Sequence, residues 1–181
     1  MTTQWDFDFT HSNVDFSVRH LLVSKVRGRF NKWGGTLLFD ETDPTRSSVE
    51  VTIDAASVDT SEPQRDTHLR SADFFDVAKF PQLTFKSTRV EAIDDERLRV
   101  TGDLTIRGVT RPTVLEVELG GSPKDPWGKH RAGFTATTSI DRKEFGITFN
   151  QTLDHGGLAL GEKVAISIDV EATRAEVAQA A

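Results

Sequence analysis

The stretch T-H-L-R-S-A-D-F-F-D-V-A-K-F-P-Q-L-T-F, residues 67–85, breaks the pattern that governs most of this 181-residue chain. It crowds four phenylalanines around an arginine, two aspartates, a lysine and a proline. Just before it, Pro63 follows Ser61 and Glu62, an arrangement that suits the first turn of a helix. That helix can continue over residues 65–69. In a chain otherwise made of strand patterns, the stretch predicts a structured crossover beside the mouth of a barrel.

Apolar and polar residues alternate on both sides of the crossover with the two-residue period of a β-strand. The segment V-D-F-S-V at residues 14–18 is typical, and similar runs recur near residues 26–39, 49–53, 98–106, 115–119, 134–140 and 164–170. Such runs present one face to an apolar interior and the other to water, as antiparallel strands do. About eight hairpin-linked strands hide their edges by closing into a barrel. The sequence therefore predicts one all-β domain over residues 1–181, an antiparallel eight-stranded β-barrel with a short helix near one end.

The barrel interior is the part of the predicted fold that bears most on function. A barrel of about eight strands holds either its own side chains or one small ligand. Phenylalanines from several strands could fill the interior, so a cavity and a packed core both stay open at this point. A glycine pair at residues 34–35, inside a strand pattern, predicts a bulge or a sharp bend. Four small residues fall on or near inward positions and are expected to leave unfilled volume: Gly28, Gly102, Ala132 and Ala136.

Composition narrows the classes of partner and cofactor. The formal charge is −6 with both signs interspersed, whereas nucleic acid attracts a basic face, so no nucleic-acid partner is expected. Cysteine is absent and the five histidines show no metal-binding spacing, so no metal or other cofactor is predicted. No apolar stretch approaches the roughly 18–20 residues of a transmembrane helix, so stable membrane insertion is not expected. The N-terminus shows neither a basic leader nor an apolar run, which predicts a cytoplasmic protein.

Nine segments match a known family in order: H-S-N-V-D-F-S-V-R-H-L (11–21), V-R-G-R-F (26–30), S-V-D-T (57–60), R-D-T-H-L-R-S-A-D-F-F-D-V (65–77), P-Q-L-T-F-K-S-T (81–88), G-D-L-T-I-R-G-V-T (102–110), D-P-W-G (125–128), R-A-G-F (131–134) and D-R-K-E-F-G (141–146). On these segments the chain resembles the YceI-like family, a lipocalin-like group that includes polyisoprenoid-binding proteins. The resemblance implies an extended lipocalin-like barrel with a helix packed near one end. It also implies an elongated apolar pore for a long isoprenoid or similar lipid, and a homodimer.

The function implied is non-catalytic: binding, sequestration or transport of a long-chain lipid of the polyprenyl or quinone type. Burial alone is sufficient, because a five-carbon isoprene unit contributes about 3–4 kcal/mol at ~0.8 kcal/mol per carbon. Several units exceed an association cost of ~4–15 kcal/mol without any polar contact. The candidate lipid-binding residues are the inward apolar residues of the strand patterns: Val14, Phe16, Val18, Val26, Phe30, Leu37, Phe39, Val51, Ile53, Phe85, Leu104, Ile106, Leu115, Phe134, Ile166 and Ile168.

Residues around the crossover supply the other candidates. Phe74, Phe75 and Phe80 are predicted to anchor the crossover onto the barrel. Trp33 and Trp127 are expected at the rim, with Trp127 as a loop anchor. Local ion pairs are predicted within a set of three charged residues: Asp66, Arg70 and Asp73. Contacts with a polar head group at the pore mouth are predicted for four side chains: Arg19, His20, His68 and Arg70.

Two other functions stay open on the sequence. An enzyme could hold a lipid in the pore while His20 or His68, with a nearby carboxylate, transfers protons. That alternative predicts that these side chains converge within hydrogen-bond reach at an open pocket. A packed barrel could instead act only through its surface, for example as a dimerising stress protein. This third alternative predicts the absence of a continuous internal cavity.

Overall fold

The structure is a computed structural model that describes residues 1–154 and 156–176. That part of the chain contains one α-helix, α1 (Pro63–Arg70), and three short 3₁₀ turns. The frayed terminus that the alanine-rich residues 175–181 predict lies mostly outside the described residues. The strands are β1 (Thr3–Phe7), β2 (Asn13–His20), β3 (Ser24–Phe30), β4 (Trp33–Phe39), β5 (Ser48–Asp54), β6 (Val58–Asp59), β7 (Gln82–Ala92), β8 (Arg97–Ile106), β9 (Val109–Leu119), β10 (Arg131–Asp141) and β11 (Leu160–Arg174).

The strands form one antiparallel sheet that closes on itself, which confirms the predicted eight-stranded barrel. β1 and β2 follow one another along β11, and β4 and β3 pair with them in turn. β5 and β6 continue this pattern on β4 and β3. β1 with β2, β3 with β4, and β5 with β6 are therefore three long strands, each interrupted by a bend. The eleven segments thus build eight barrel strands, which follow one another around the barrel in chain order. The pairing of Trp5 in β1 with Arg174 in β11 belongs to the contact that closes the ring.

The two ends of the barrel differ in their connections. One end, called here the helix end, carries α1, the crossover after it, the tight turn at residues 107–108 and the long connection of residues 142–159. The opposite end, called the far end, carries the N-terminus and the connections of residues 40–47, 93–96 and 120–130. The crossover predicted from residues 67–85 thus lies across the helix end of the barrel.

Helix α1 begins at the proline where the sequence predicts it. The Glu62 carboxylate accepts hydrogen bonds from the N–H groups of Gln64 and Arg65, and Pro63 lies in the first turn, where its missing N–H has no helical acceptor to lose. The helix has eight residues. Among the described residues, no helix has the length and apolar character needed to cross a membrane.

The prediction of ion pairs among Asp66, Arg70 and Asp73 is wrong, because each of these side chains has a different partner. The buried Asp66 carboxylate accepts hydrogen bonds from the N–H and hydroxyl of Thr60, at 2.9 and 2.6 Å. The Arg70 guanidinium donates to the carbonyl of Ala56, between β5 and β6, at 2.8 Å and to the carbonyl of Val58, the first residue of β6, at 3.1 Å. Asp73 pairs with a histidine that is described below. These contacts fasten the helix to the end of the sheet.

Two inward glycines are covered by phenyl rings, so the prediction that they leave unfilled volume is wrong. A Cβ at Gly28 would lie 2.5 Å from Cζ of Phe16, its neighbour on β2. A Cβ at Gly102 would lie 2.4 Å from Cζ of Phe85 on β7. Because the glycines carry no side chain, both rings can lie directly over the backbone of the adjacent strand. The rings therefore stay close to the barrel wall.

The glycine pair of β4 forms no bulge, and the sharp bend that is the other form of the prediction lies just ahead of it, at residues 31–32 between β3 and β4. Gly34 and Gly35 pair regularly with β5, and the shifts of register occur within β7 and β11 instead. The carbonyl oxygen of Glu50 would lie only 2.0 Å from a Cβ at Gly35, whereas nothing lies within 4 Å of a Cβ at Gly34. Gly35 thus permits a close approach of two backbones.

Candidate functional site

Two cavities lie inside the barrel, one toward each end. The helix-end cavity has a volume of about 330 Å³, and the far cavity has a volume of about 200 Å³. The interior is therefore not filled by its own side chains along its whole length. Five apolar residues line both cavities and are called here the neck: Phe16, Phe30, Leu83, Ile106 and Ile166.

All sixteen apolar residues predicted for the pore wall line at least one of the two cavities. Val18 and Val26, for example, line the helix-end cavity, and Val51 and Leu104 line the far cavity. Their contact with a lipid stays a prediction. Period-two alternation located them because every second residue of a barrel strand faces inward.

The far cavity is almost wholly apolar. Its lining consists of aliphatic and aromatic side chains apart from four hydroxyl groups, and Ala136 and Val170 are among its small members. Trp33, expected at the rim, lines this cavity and packs edge-on against Phe7, with ring centroids 5.2 Å apart. The four hydroxyl groups belong to Ser47, Ser48, Thr113 and Thr138.

Only two of the four side chains predicted at the pore mouth line the helix-end cavity. His20 and His68 both line it, whereas Arg19 and Arg70 line neither cavity. Arg19 follows the inward Val18 on β2 and is exposed to solvent. The Arg70 guanidinium is engaged by backbone carbonyls. The structure thus corrects the placement of these two arginines.

His68 is held by one carboxylate and two phenyl rings. Its Nε2 lies 2.8 Å from Oδ2 of Asp73. Its ring packs edge-on against Phe74 and Phe149, with centroid distances of 4.9 and 4.8 Å. His68 therefore joins helix α1 to the crossover and to the connection of residues 142–159, and it also faces the cavity.

The phenylalanines of the crossover have more than an anchoring role. Phe74 and Phe75 line the helix-end cavity, although the sequence favours them as anchors alone. Phe75 also packs edge-on against Phe30 of the neck, with centroids 5.6 Å apart. Phe80 contacts the backbone of Gly108 in the turn between β8 and β9. Trp127 is 81% exposed, so its predicted role as a loop anchor is wrong.

Arg142 is a cavity residue that sequence reasoning missed. It follows β10 directly, begins a 3₁₀ turn and is only 4% exposed. Its Nε donates to the Gly161 carbonyl at 2.8 Å, and its Nη1 donates to the carbonyls of Ile147 and Phe149 at 2.9 and 2.8 Å. Burial lowers the pKa of this guanidinium below its usual value, although an arginine stays protonated in proteins.

The strand pattern itself could have revealed Arg142. On β10, Ala136, Thr138 and Ile140 face the interior and line one or other cavity. The same two-residue step places Arg142 next on that face, one residue beyond the end of the strand at Asp141. Arg65, the other arginine of the cavity lining, is on helix α1, where a strand period gives no information.

A cluster of charged side chains lies on the outside of the β10–β11 pair. Arg131 donates to carboxylates of Asp8, Asp125 and Glu171, and these bonds raise its pKa. Asp8, Glu171 and His11 offer ligand atoms within 4.8 Å of one another, a spacing that a metal ion could use. The Arg131 guanidinium already supplies the positive charge there, so the cluster serves to join the first and last barrel strands.

The side chains that line the helix-end cavity limit the chemistry available there. Among the described residues that line the helix-end cavity, none is a serine, threonine, lysine, aspartate or glutamate. The lining therefore offers neither a hydroxyl nor an amine nucleophile, and no carboxylate base. What it does offer is apolar surface with a few polar groups, the usual composition of a small-molecule pocket.

Comparison with known proteins agrees with this geometry. The YceI-like domain family matches residues 5–172. Protein YceI of Salmonella newport (strain SL254) is 50% identical over 143 residues, which cover 79% of this chain and 74% of that protein. The crystal structure of the Campylobacter jejuni YCEI protein has a TM-score of 0.76 at 36% identity, over 87% of this chain and 90% of that one.

A more distant solved structure shares the fold. It is a polyisoprenoid-binding domain from Saccharophagus degradans, with a TM-score of 0.67 at 15% identity, covering 97% of this chain and 100% of that one. Family match, sequence identity and barrel geometry lead to the same assignment. This chain belongs to the YceI-like family.

Proposed function

We propose that this protein binds, sequesters or carries a long-chain isoprenoid or similar lipid, of the polyprenyl or quinone type, without transforming it. The observation that carries the proposal is a pair of largely apolar cavities inside a closed barrel, which share the five lining residues of the neck. The helix-end cavity alone, at about 330 Å³, reaches the size of typical ligand pockets. The name of the Saccharophagus degradans domain, polyisoprenoid-binding, supports the same class of ligand.

The two cavities set a requirement on the length of the ligand. Ten buried carbons contribute about 8 kcal/mol, which falls inside the ~4–15 kcal/mol that association costs. A short chain that fills only one cavity therefore binds weakly. A longer chain that passes Phe16 and Phe30 at the neck buries enough carbon in both cavities for stable retention.

Catalysis has less support than binding. His68 does lie within hydrogen-bond distance of Asp73, as the enzyme alternative predicts. The His68 ring packs against two phenyl rings, and no described residue of the helix-end cavity lining adds a hydroxyl or amine nucleophile or a carboxylate. Family membership and the binding-domain neighbour point to a binding protein.

Extraction and native mass spectrometry test the proposal. Protein purified without detergent is extracted into organic solvent, and the extract is searched for isoprenoid and other long-chain lipids. The delipidated protein is then offered geraniol, farnesol and geranylgeraniol. We expect a stoichiometric complex with the longest alcohol and weaker retention of the shortest. The absence of any extracted lipid, together with no uptake of the longest alcohol, would refute the proposal.

Two further properties are independent proposals. The homodimer is tested by sedimentation equilibrium of the purified protein. The cytoplasmic location is tested by fractionation of cells that express the natural gene.

A further inference from the structure

The helix-end cavity is lined by basic side chains, although the protein as a whole is acidic. Its lining includes two arginines and two histidines, and no aspartate or glutamate among its described members. The chain as a whole has a formal charge of −6. A cavity that concentrates basic groups inside an acidic protein is electrostatically complementary to an anion.

Arg142 carries an unused hydrogen-bonding group within this lining. Three of its bonds go to backbone carbonyls through Nε and Nη1. Its Nη2 is buried and has no hydrogen-bond acceptor among residues 1–154 and 156–176. Buried polar nitrogens nearly always have a partner, and a charged one without a partner is especially costly. Because Arg142 lines the helix-end cavity, a ligand held there can supply the missing acceptor once the side chains that cover Nη2 move aside.

The acidic residues nearest to Arg142 are engaged by other groups. Asp141 accepts a hydrogen bond from the N–H of Lys143 at 2.9 Å, and Glu162 pairs with the ammonium of Lys143. Within the described part of the chain, neither carboxylate forms an ion pair with Arg142. Arg142 thus has no direct ion-pair partner among residues 1–154 and 156–176, although the negative charges of Glu162 and Asp141 act on it through space.

Arg65, the second arginine of the lining, differs in this respect. Its Nε donates to the Thr60 hydroxyl at 2.7 Å, and its Nη2 donates to the Thr60 carbonyl at 2.9 Å. These bonds hold the guanidinium against the end of the sheet. Arg142 is consequently the stronger candidate for direct contact with a ligand.

We propose that the bound lipid carries an anionic head group, a phosphate or a carboxylate, which Arg142 holds through Nη2 inside the helix-end cavity while the tail passes the neck into the far cavity. This inference rests on the lipid-binding function proposed above. It assigns the ligand both a charge and a direction: head toward helix α1, tail toward the far end. Charged oxygens of both head groups accept strong hydrogen bonds from a guanidinium.

The test uses three ligands with identical tails and different heads: geranylgeranyl phosphate, geranylgeranoic acid and geranylgeraniol. Their affinities for the delipidated wild-type protein are measured by displacement of the neutral dye N-phenyl-1-naphthylamine. A charged hydrogen bond to Arg142 predicts that at least one anionic ligand binds about ten-fold or more tightly than the alcohol. The better of the phosphate and the carboxylate identifies the head group.

Substitution of the arginine adds a second comparison. In Arg142→Met we expect the preference for the anionic ligand to disappear while the alcohol still binds. Arg107→Met is the matched control, because Arg107 also donates to backbone carbonyls at the helix end but lines neither cavity. The control should keep the wild-type preference. If Arg142→Met does not fold, the three-ligand comparison in wild-type protein decides alone.

The outcomes separate this inference from the proposed function. Equal affinity of wild-type protein for the alcohol and both anions would overturn the role of Arg142 and leave lipid binding intact. Retention of the full anion preference by folded Arg142→Met would overturn that role as well. Failure of all three ligands to bind would instead remove the proposed function itself.

Discussion

At the scale of single residues, Gly34 and Gly35 are adjacent in β4 but have opposite surroundings. A methyl group at Gly35 would meet the carbonyl oxygen of Glu50 at 2.0 Å, and one at Gly34 would meet nothing within 4 Å. The first contact involves backbone on both strands, so neither partner can move aside without disturbing the sheet. The second position has room and gains strand propensity from the added carbon.

We therefore expect Gly35→Ala to lower the free energy of unfolding by about 2 kcal/mol or more, the range found for overpacked sites. Gly34→Ala is the matched control and should change it by less than about 1 kcal/mol, in either direction. Urea unfolding followed by tryptophan fluorescence measures both. Equal effects of the two substitutions would show that β4 and β5 are farther apart than the structure has them.

We expect His11 to make the free energy of unfolding depend on pH near neutrality. Its ring nitrogen Nδ1 lies 3.0 Å from a carboxylate oxygen of Asp8, and this bond raises the pKa of His11 above its ordinary value of 6.5. Glu171 adds to that effect, and Arg131 opposes it. Since the folded pKa exceeds the unfolded one, the stabilisation is complete below pH 6.5 and is lost as pH rises through the folded value.

The expected result is a fall in the free energy of unfolding between mildly acidic and mildly alkaline pH, and His11→Asn should flatten that fall. Urea unfolding at several pH values measures the slope for both proteins. An unchanged slope in His11→Asn would assign the dependence to other groups.

At the scale of elements, the turn between β2 and β3 is built from unsuitable residues. Val23 donates its N–H to the His20 carbonyl at 3.2 Å, and the two central residues, Leu21 and Leu22, have φ angles of 54° and 60°. Leucine rarely adopts positive φ, whereas asparagine and glycine do so readily, which is why Asn-Gly dominates hairpin turns of this kind. Leu22 is also 70% exposed, so it loses little packing when replaced.

The double substitution Leu21→Asn, Leu22→Gly should consequently raise the free energy of unfolding by about 1–2 kcal/mol, since each strained residue costs about that order. Thermal unfolding shows the gain as a higher Tm. A lower Tm would mean that the leucines make stabilising contacts outside the turn.

Strands and their inward faces could be predicted from sequence because one simple period governs them. The run V-D-F-S-V fixes which residues of β2 face the interior, and the same rule located every predicted wall residue. The rule fails where the chain leaves the sheet. Arg70, on a helix, is predicted at the mouth but binds backbone carbonyls. Arg142 obeys the period of β10, but it lies one residue past the end of that strand, where a strand pattern alone gives no reason to continue. The positions of the Phe16 and Phe85 rings could not be predicted either. Each ring lies over a glycine of the adjacent strand, and the alternation within one strand does not show which residue of the next strand lies beside it.

At the scale of the whole molecule, the far cavity should limit the length of the tail. Ala136 lines it, so a larger side chain there occupies volume that the end of a long ligand would use. Ala136→Leu should weaken binding of geranylgeraniol about ten-fold, the equivalent of roughly two carbons left in water. Binding of geraniol, which the helix-end cavity accommodates, should change little.

Thr137→Leu is the control for this substitution, because Thr137 is the next residue of β10 and is exposed to solvent. It should leave the length preference as it is. Native mass spectrometry with the two alcohols measures both variants. A uniform loss of both ligands in Ala136→Leu would contradict separate use of the two cavities.

The ring of strands is completed by the first and last strands of the chain, through pairs such as Trp5 with Arg174. A ribosome therefore has to release the chain as far as β11, more than 150 residues after β1, before these two strands can meet. Until that moment the nascent sheet has two open edges, each able to recruit a strand from another molecule. Such distant pairing also makes folding slow. We expect a chain truncated ahead of Leu160 to lack β11 and therefore to expose two unpaired sheet edges, at which other copies can add strands.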